Sequence, residues 1–129
     1  MTLAVVGSTK LGESALASAL IKYVLAKYHP ERVVSGGAAG IDTLAAGLAR
    51  SQNIEVLEHL PKTRRWHDGF RPRNIKIAED CDALVRIALF GGKTYGSGWT
   101  RDYAAKLGKP TEEFICGPGV FADDRRPPS

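Results

Sequence analysis

Residues 35–42 read SGGAAGID, and they join the apolar pair Val33-Val34 to a segment in which Leu44, Ala45, Leu48 and Ala49 recur at helical spacing. Two adjacent glycines, a third three residues on, and then an acid make an unusual passage from strand to helix. Gly36 and Gly37 admit backbone conformations closed to other residues and carry no side-chain bulk, so a ligand can approach main-chain N–H groups. Gly40 lets helix and strand pack closely, and the amino end of the helix that follows favours a phosphate or a carboxylate. The plain alternative is a tight turn in which Asp42 does no more than stabilise the first helical turn.

The rest of the chain repeats the alternation. TLAVVGS, at residues 2–8, is a β-rich run ending at a glycine. Leu16, Ala19, Leu20, Tyr23 and Val24 then form one helical face that stops near Pro30. RVVS (32–35) and IEVLEHL (54–60) read as the second and third strands, with a helix over 40–52 between them. The polar stretch PKTRRWHDGFRPRN (61–74) leads into a short helix at IKIAED, and DALVRIALF (82–90) is a fourth, mostly apolar strand. GGKTYGSG reads as a glycine loop, WTRDYAAKLG as a fourth helix and PTEEFIC as a last strand. Strands alternating with helices predict an α/β fold, a doubly wound parallel sheet of about five strands in the order 3-2-1-4-5. Residues 1–116 form that domain, and the Pro-, Gly- and charge-rich 117–129 reads as a loose tail. Ligands of such sheets bind beyond the carboxyl ends of the strands, where the order reverses.

Bulk properties narrow the class. A chain of 129 residues with 43% apolar content is one globular domain, and no apolar run approaches the ~18 residues of a membrane span. Cys81 and Cys116 have neither CxxC spacing nor disulfide-rich density, which fits reduced thiols and a cytoplasmic location. The formal net charge of +4 favours an anionic partner only weakly.

A second small-residue segment, TYGSGWT, opens the fourth helix with Gly96, Ser97, Gly98 and Thr100, and Gly7-Ser8 closes the first strand. Three such segments at neighbouring strand ends describe one anion-lined cleft rather than three independent turns. Lys62, Arg64, Arg65, Arg71 and Arg73 alternate with Trp66, His67 and Phe70, a pattern that suits a phosphate with a base, or a nucleic-acid strand, and equally a solvated loop. Arg73-Asn74 begins a helix and faces the cleft. Arg86 is a single charge in an apolar strand, aimed at the site or held in an ion pair. His29, His59 and His67 have no metal-ligand spacing, so no metal is expected. GxSxG, GxxxxGK[ST] and GxGxxG are all absent, and no cofactor is expected.

VVSGGAAGIDTLAAGLA, then Arg73-Asn74, then YGSGWTRDYAAKLGKP, resemble the Rossmann-like SLOG superfamily, over about Leu3 to Pro110. That superfamily includes the DNA-processing protein A (Smf) family, stand-alone YspA/YpsA-related proteins and, more distantly, the Lonely Guy phosphoribohydrolases. Carried over by position, the resemblance implies ligand contacts from Gly7, Ser8, Ser35, Gly36, Gly37, Gly40, Asp42, Arg73, Asn74, Gly96, Ser97, Gly98 and Thr100. It implies a nucleotide or nucleotide derivative as partner, or single-stranded DNA as in the DNA-processing branch, and a homodimer. The Lonely Guy pattern PGGxGTxxE places its glutamate at Tyr103 or, one residue earlier, at Asp102. Asp102 and Asp42 are therefore the carboxylates to weigh for N-glycosidic hydrolysis, and binding without efficient turnover is the leading expectation.

Overall fold

The computed structural model describes residues 1–11, 14–90 and 95–117. Five parallel strands, β1 (Thr2–Gly7), β2 (Arg32–Ser35), β3 (Glu55–Glu58), β4 (Ala83–Leu89) and β5 (Thr111–Cys116), form one sheet in the order β3-β2-β1-β4-β5. This is the expected Rossmann-like arrangement. Four helices, α1 (Ala15–Tyr28), α2 (Ile41–Ser51), α3 (Arg71–Asp80) and α4 (Tyr95–Lys106), connect the strands.

The central strand β1 has Leu3, Ala4 and Val5 fully buried, because helices cover both faces. Leu3 and Val5 point to a core shared with Ile21 and Val24 of α1 and with Ile41 and Ala45 of α2. Ala4 and Val6 point the other way, to Ile77 of α3 and Ala104 of α4. The period-two alternation of a strand thus assigns each helix pair to its own face. Because β2 and β4 flank β1 on opposite sides, the strand order reverses there, and the carboxyl ends of β1, β2 and β4 lie side by side.

Several boundaries differ from the sequence reading. Gly96, Ser97 and Gly98 are not a loop before α4 but its first turn. The Thr100 hydroxyl donates to the Gly96 carbonyl at 2.7 Å and Arg86 Nε donates to Ser97 Oγ at 3.0 Å. These contacts outweigh the weak helix propensity of two glycines. The third helix also starts earlier, at Arg71, where Pro72 fits a first turn whose N–H needs no partner. A single wide turn, Trp66–Phe70, precedes it. Strand β3 is confined to Glu55–Glu58. At the opposite end of α3, Lys109 Nζ donates to the carbonyls of Ala78 (3.3 Å), Glu79 (3.1 Å) and Cys81. Residues 91–94 of the glycine-rich stretch and 118–129 of the expected tail lie outside the described residues. Among the described residues, no helix is long and apolar enough to cross a membrane.

Candidate functional site: a two-chambered cleft at the strand-order reversal

At these strand ends lies a cleft with two adjoining chambers. The inner one, of about 290 Å³, is bounded by Gly7 and Thr9 after β1, Asp42 on α2, Asn74 and Ile77 on α3, and Ser97 and Thr100 on α4. The outer one, of about 600 Å³, is walled by Gly36 and Gly37, by Pro61 and Arg64, and by the rings of Trp66 and Phe70. Thr9, Ala38, Arg73, Asn74 and Gly96 line both, so the chambers communicate. Both volumes are in or near the usual range for small-molecule sites.

The inner chamber is the more polar of the two, and one atom in it is conspicuous. Asn74 is 3% exposed, and its side-chain Nδ2 has no hydrogen-bond partner among the described residues. Its orientation is fixed by chemistry: Arg73 Nε donates to Asn74 Oδ1 at 2.7 Å, so the amide nitrogen must be the other terminus. That nitrogen faces the first turn of α4, since a Cβ added to Gly96 would stand 3.8 Å from it. The first N–H groups of a helix lack intrahelical partners and carry the positive end of its dipole. A buried donor without a partner costs about 1–3 kcal/mol. Among the described residues, the inner chamber therefore presents the Asn74 amide with no acceptor for it.

The glycine loop after β2 works differently from the sequence expectation. Gly37 has φ +71°, and its N–H donates to Ser35 Oγ at 3.1 Å, while Ser35 Oγ donates to the Asp42 carbonyl at 3.2 Å. Asp42 is 6% exposed, and burial pushes its carboxyl up to about 6, against the opposing pull of Arg73 and of the main-chain N–H groups of Ala38, Gly36 and Gly7. Those N–H groups face an internal carboxylate, which competes with any external anion for them. Asp42 thus organises the loop rather than merely capping α2.

Gly36 has a steric role. A Cβ there would meet Arg73 Nη1 at 2.6 Å and Asp42 Oδ2 at 2.8 Å, so its absence lets Arg73 reach the Gly36 carbonyl, to which Nη1 donates. Arg73 also lies 5.5 Å from the centroid of the Phe70 ring. Burial lowers its affinity for a proton, and Asp42 raises it.

The cleft brings together Gly7, Gly36, Gly37, Asp42, Arg73, Asn74, Gly96, Ser97 and Thr100 from the sequence-derived set. Ser8, Ser35, Gly40 and Gly98 stand behind its wall. Ser8 Oγ accepts from the Lys10 N–H at 3.4 Å within its own turn, and Gly40, with φ +83°, leaves no room for a Cβ beside the main chain of Ser8 and Thr9. Asp102 does not line either chamber; its side chain is 70% exposed and accepts from Arg101 Nε at 2.9 Å. Thr9 was not singled out by sequence, although it is the next hydroxyl after Gly7-Ser8.

Outside the cleft the aromatic wall continues. Trp66 meets Trp99 edge to face, with centroids 5.2 Å apart, and Trp99 stacks on Tyr103 at 5.2 Å and 9°. The Arg71 guanidinium lies 5.9 Å from the Trp99 centroid.

No protein-family model and no curated protein matches the chain. Among solved structures, the X-ray structure of DNA processing protein A (DprA) from Streptococcus pneumoniae is similar, with a TM-score of 0.53 and 19% sequence identity. The match covers 95% of this chain and 61% of that one, so the chain spans less than two thirds of its structural neighbour. The likeness is one of fold: a DprA-like, Rossmann-like α/β domain.

Proposed function

We propose that the cleft binds a nucleotide or nucleotide derivative, its phosphate in the inner chamber and its base in the outer one. The observation that carries this reading is the buried Asn74 Nδ2, without a partner among the described residues and turned toward the amino end of α4. A phosphate oxygen satisfies that amide together with first-turn N–H groups, while Arg73 supplies the nearby charge. Trp66 and Phe70 give a flat base something to stack on in the adjoining chamber.

The protein acts in this reading as a binding domain rather than an N-glycosidic hydrolase. Such a hydrolase needs a carboxylate near the ribose. Asp102 is turned to solvent on Arg101, and Asp42 is engaged with the glycine loop. The test is titration calorimetry with purine and pyrimidine mononucleotides and their nucleosides. Saturable binding of the phosphorylated forms, weakened by Asn74→Asp, supports the reading. Equal affinity for nucleoside and nucleotide refutes the phosphate assignment.

A second reading, a single-stranded nucleic acid as ligand, is favoured by the Trp66–Trp99–Tyr103 ladder running out of the cleft beside Arg71. The solved structure it resembles in fold is that of a DNA processing protein. Affinity that grows with oligonucleotide length and falls steeply with salt selects this reading over a free nucleotide.

A further inference from the structure

Strand β4 is apolar except at its centre, where Arg86 stands between Val85 and Ile87, both fully buried. A charge there is costly to desolvate and needs partners to stay ionised. The side chain is 12% exposed and turns toward α4 rather than into either chamber. Nε donates to Ser97 Oγ at 3.0 Å, and Nη1 pairs with Glu113 of β5. Glu113 also holds Arg101, two turns beyond the start of α4, at 3.0 Å. Gly98 leaves room for the guanidinium, since a Cβ at that position would rest 3.6 Å from Nη2 in ordinary contact.

We infer that Arg86 is a positioning and specificity residue: through Ser97 it fixes the first turn of α4 against the sheet, and so sets the preference of the cleft for phosphorylated over unphosphorylated ligands. This rests on the nucleotide reading above and adds to it a residue outside the cavity. The argument is geometric. Gly96, Ser97 and Thr100 line the inner chamber, and they border the proposed phosphate position only while the turn keeps its angle to β4. A helix start containing Gly96 and Gly98 holds its own shape poorly. The Arg86 fork, anchored by Glu113, supplies the rigidity that the backbone lacks. The cation also sits behind the positive end of the α4 dipole and adds to the potential an anion meets.

The variants are Arg86→Met, Arg86→Lys, Ser97→Ala and the Arg86→Met/Ser97→Ala double change. Arg86→Met leaves Glu113 paired with Arg101, so no carboxylate is stranded. Each is titrated with adenosine and uridine 5′-monophosphates and with the two nucleosides, and amide hydrogen exchange is followed at Thr100 and Arg101 without ligand. Arg86→Met should weaken the monophosphates tenfold or more, leave the nucleosides within twofold, and speed exchange at both amides. Arg86→Lys, a single-point cation, should restore only part. The double variant should be no worse than the poorer single one, because both changes cut the same link. Equal loss for nucleosides and monophosphates, or additive losses in the double variant, would overturn the inference. A wild type that binds no nucleotide would remove the nucleotide reading, and the exchange measurement would still decide: unchanged rates at Thr100 and Arg101 sink the positioning role.

Discussion

Arg73 and Asn74, neighbours in the chain, are also hydrogen-bonded to each other, Nε to Oδ1 at 2.7 Å. The arginine thereby decides which end of the asparagine amide is presented to the cleft. Replacing Asn74 by aspartate keeps the shape and the acceptor for Arg73 but turns the donor into a second negative oxygen. Nucleotide affinity should fall at least tenfold, about 1.4 kcal/mol, with the melting temperature little changed. Calorimetry beside a thermal scan checks both.

Gly40 and Gly96 should separate stability from binding. Gly40→Ala forces a Cβ onto the main chain of Ser8 and Thr9 at φ +83°, and should cost about 3 kcal/mol or more. Among the described residues Gly96→Ala meets nothing closer than Asn74 Nδ2 at 3.8 Å, so stability should hold within about 0.5 kcal/mol. The new methyl crowds the Asn74 donor, and binding should weaken. Urea titration and ligand titration of the two variants give the comparison.

Asp42 predicts an inverted acid response. Its folded-state carboxyl is raised to about 6, against an ordinary value of 3.8. Between those values the folded state binds more protons than the unfolded state, so this group's stabilising share is full below about pH 4 and is lost as pH rises through 6. A shift of this size corresponds to roughly 2–3 kcal/mol. Asp42→Asn should flatten the fall in stability between pH 4 and 7 relative to wild type. A wild-type slope in that window matching that of the variant would show that Asp42 titrates normally.

Much of this fold could be read before it was seen, because its determinants are local. The runs 2–8, 32–35 and 82–90 carry β-branched and aliphatic residues between helical periods, which is enough to order the strands. The glycines after β2 line the cleft, yet what their amides do depends on Ser35 and Asp42, whose side chains fold back only in three dimensions. Arg86 was visible as an anomaly, but its partner Glu113 is 27 residues away and has no motif to announce it. The wide turn at Trp66–Phe70, closed by the Arg71 N–H bonding to Trp66 O, leaves no hydrophobic period to detect.

Trp66 should report on the outer chamber directly. Trp66→Ala should lower affinity for nucleotides by about 1–3 kcal/mol, the usual worth of a base on an aromatic face. It should spare binding of inorganic phosphate, which needs only the inner chamber. Quenching of tryptophan emission by nucleotides, but not by phosphate, is the matching signal in wild type.

No release of free base is expected from purine or pyrimidine monophosphates, and Asp102→Asn should bind them as wild type does. That side chain is 70% exposed and occupied by Arg101. Chromatography of overnight reactions measures the first, and calorimetry the second. Base release abolished by Asp102→Asn would make the protein an enzyme.

Helices α3 and α4 run side by side with their amino ends at the cleft, and Lys109 pins them at the other end through the carbonyls of Ala78, Glu79 and Cys81. The pair is built like a pair of compasses, jointed far from its points. The ammonium group of one lysine, at the end of the pair remote from the cleft, thereby ties together the two helices whose amino ends border it.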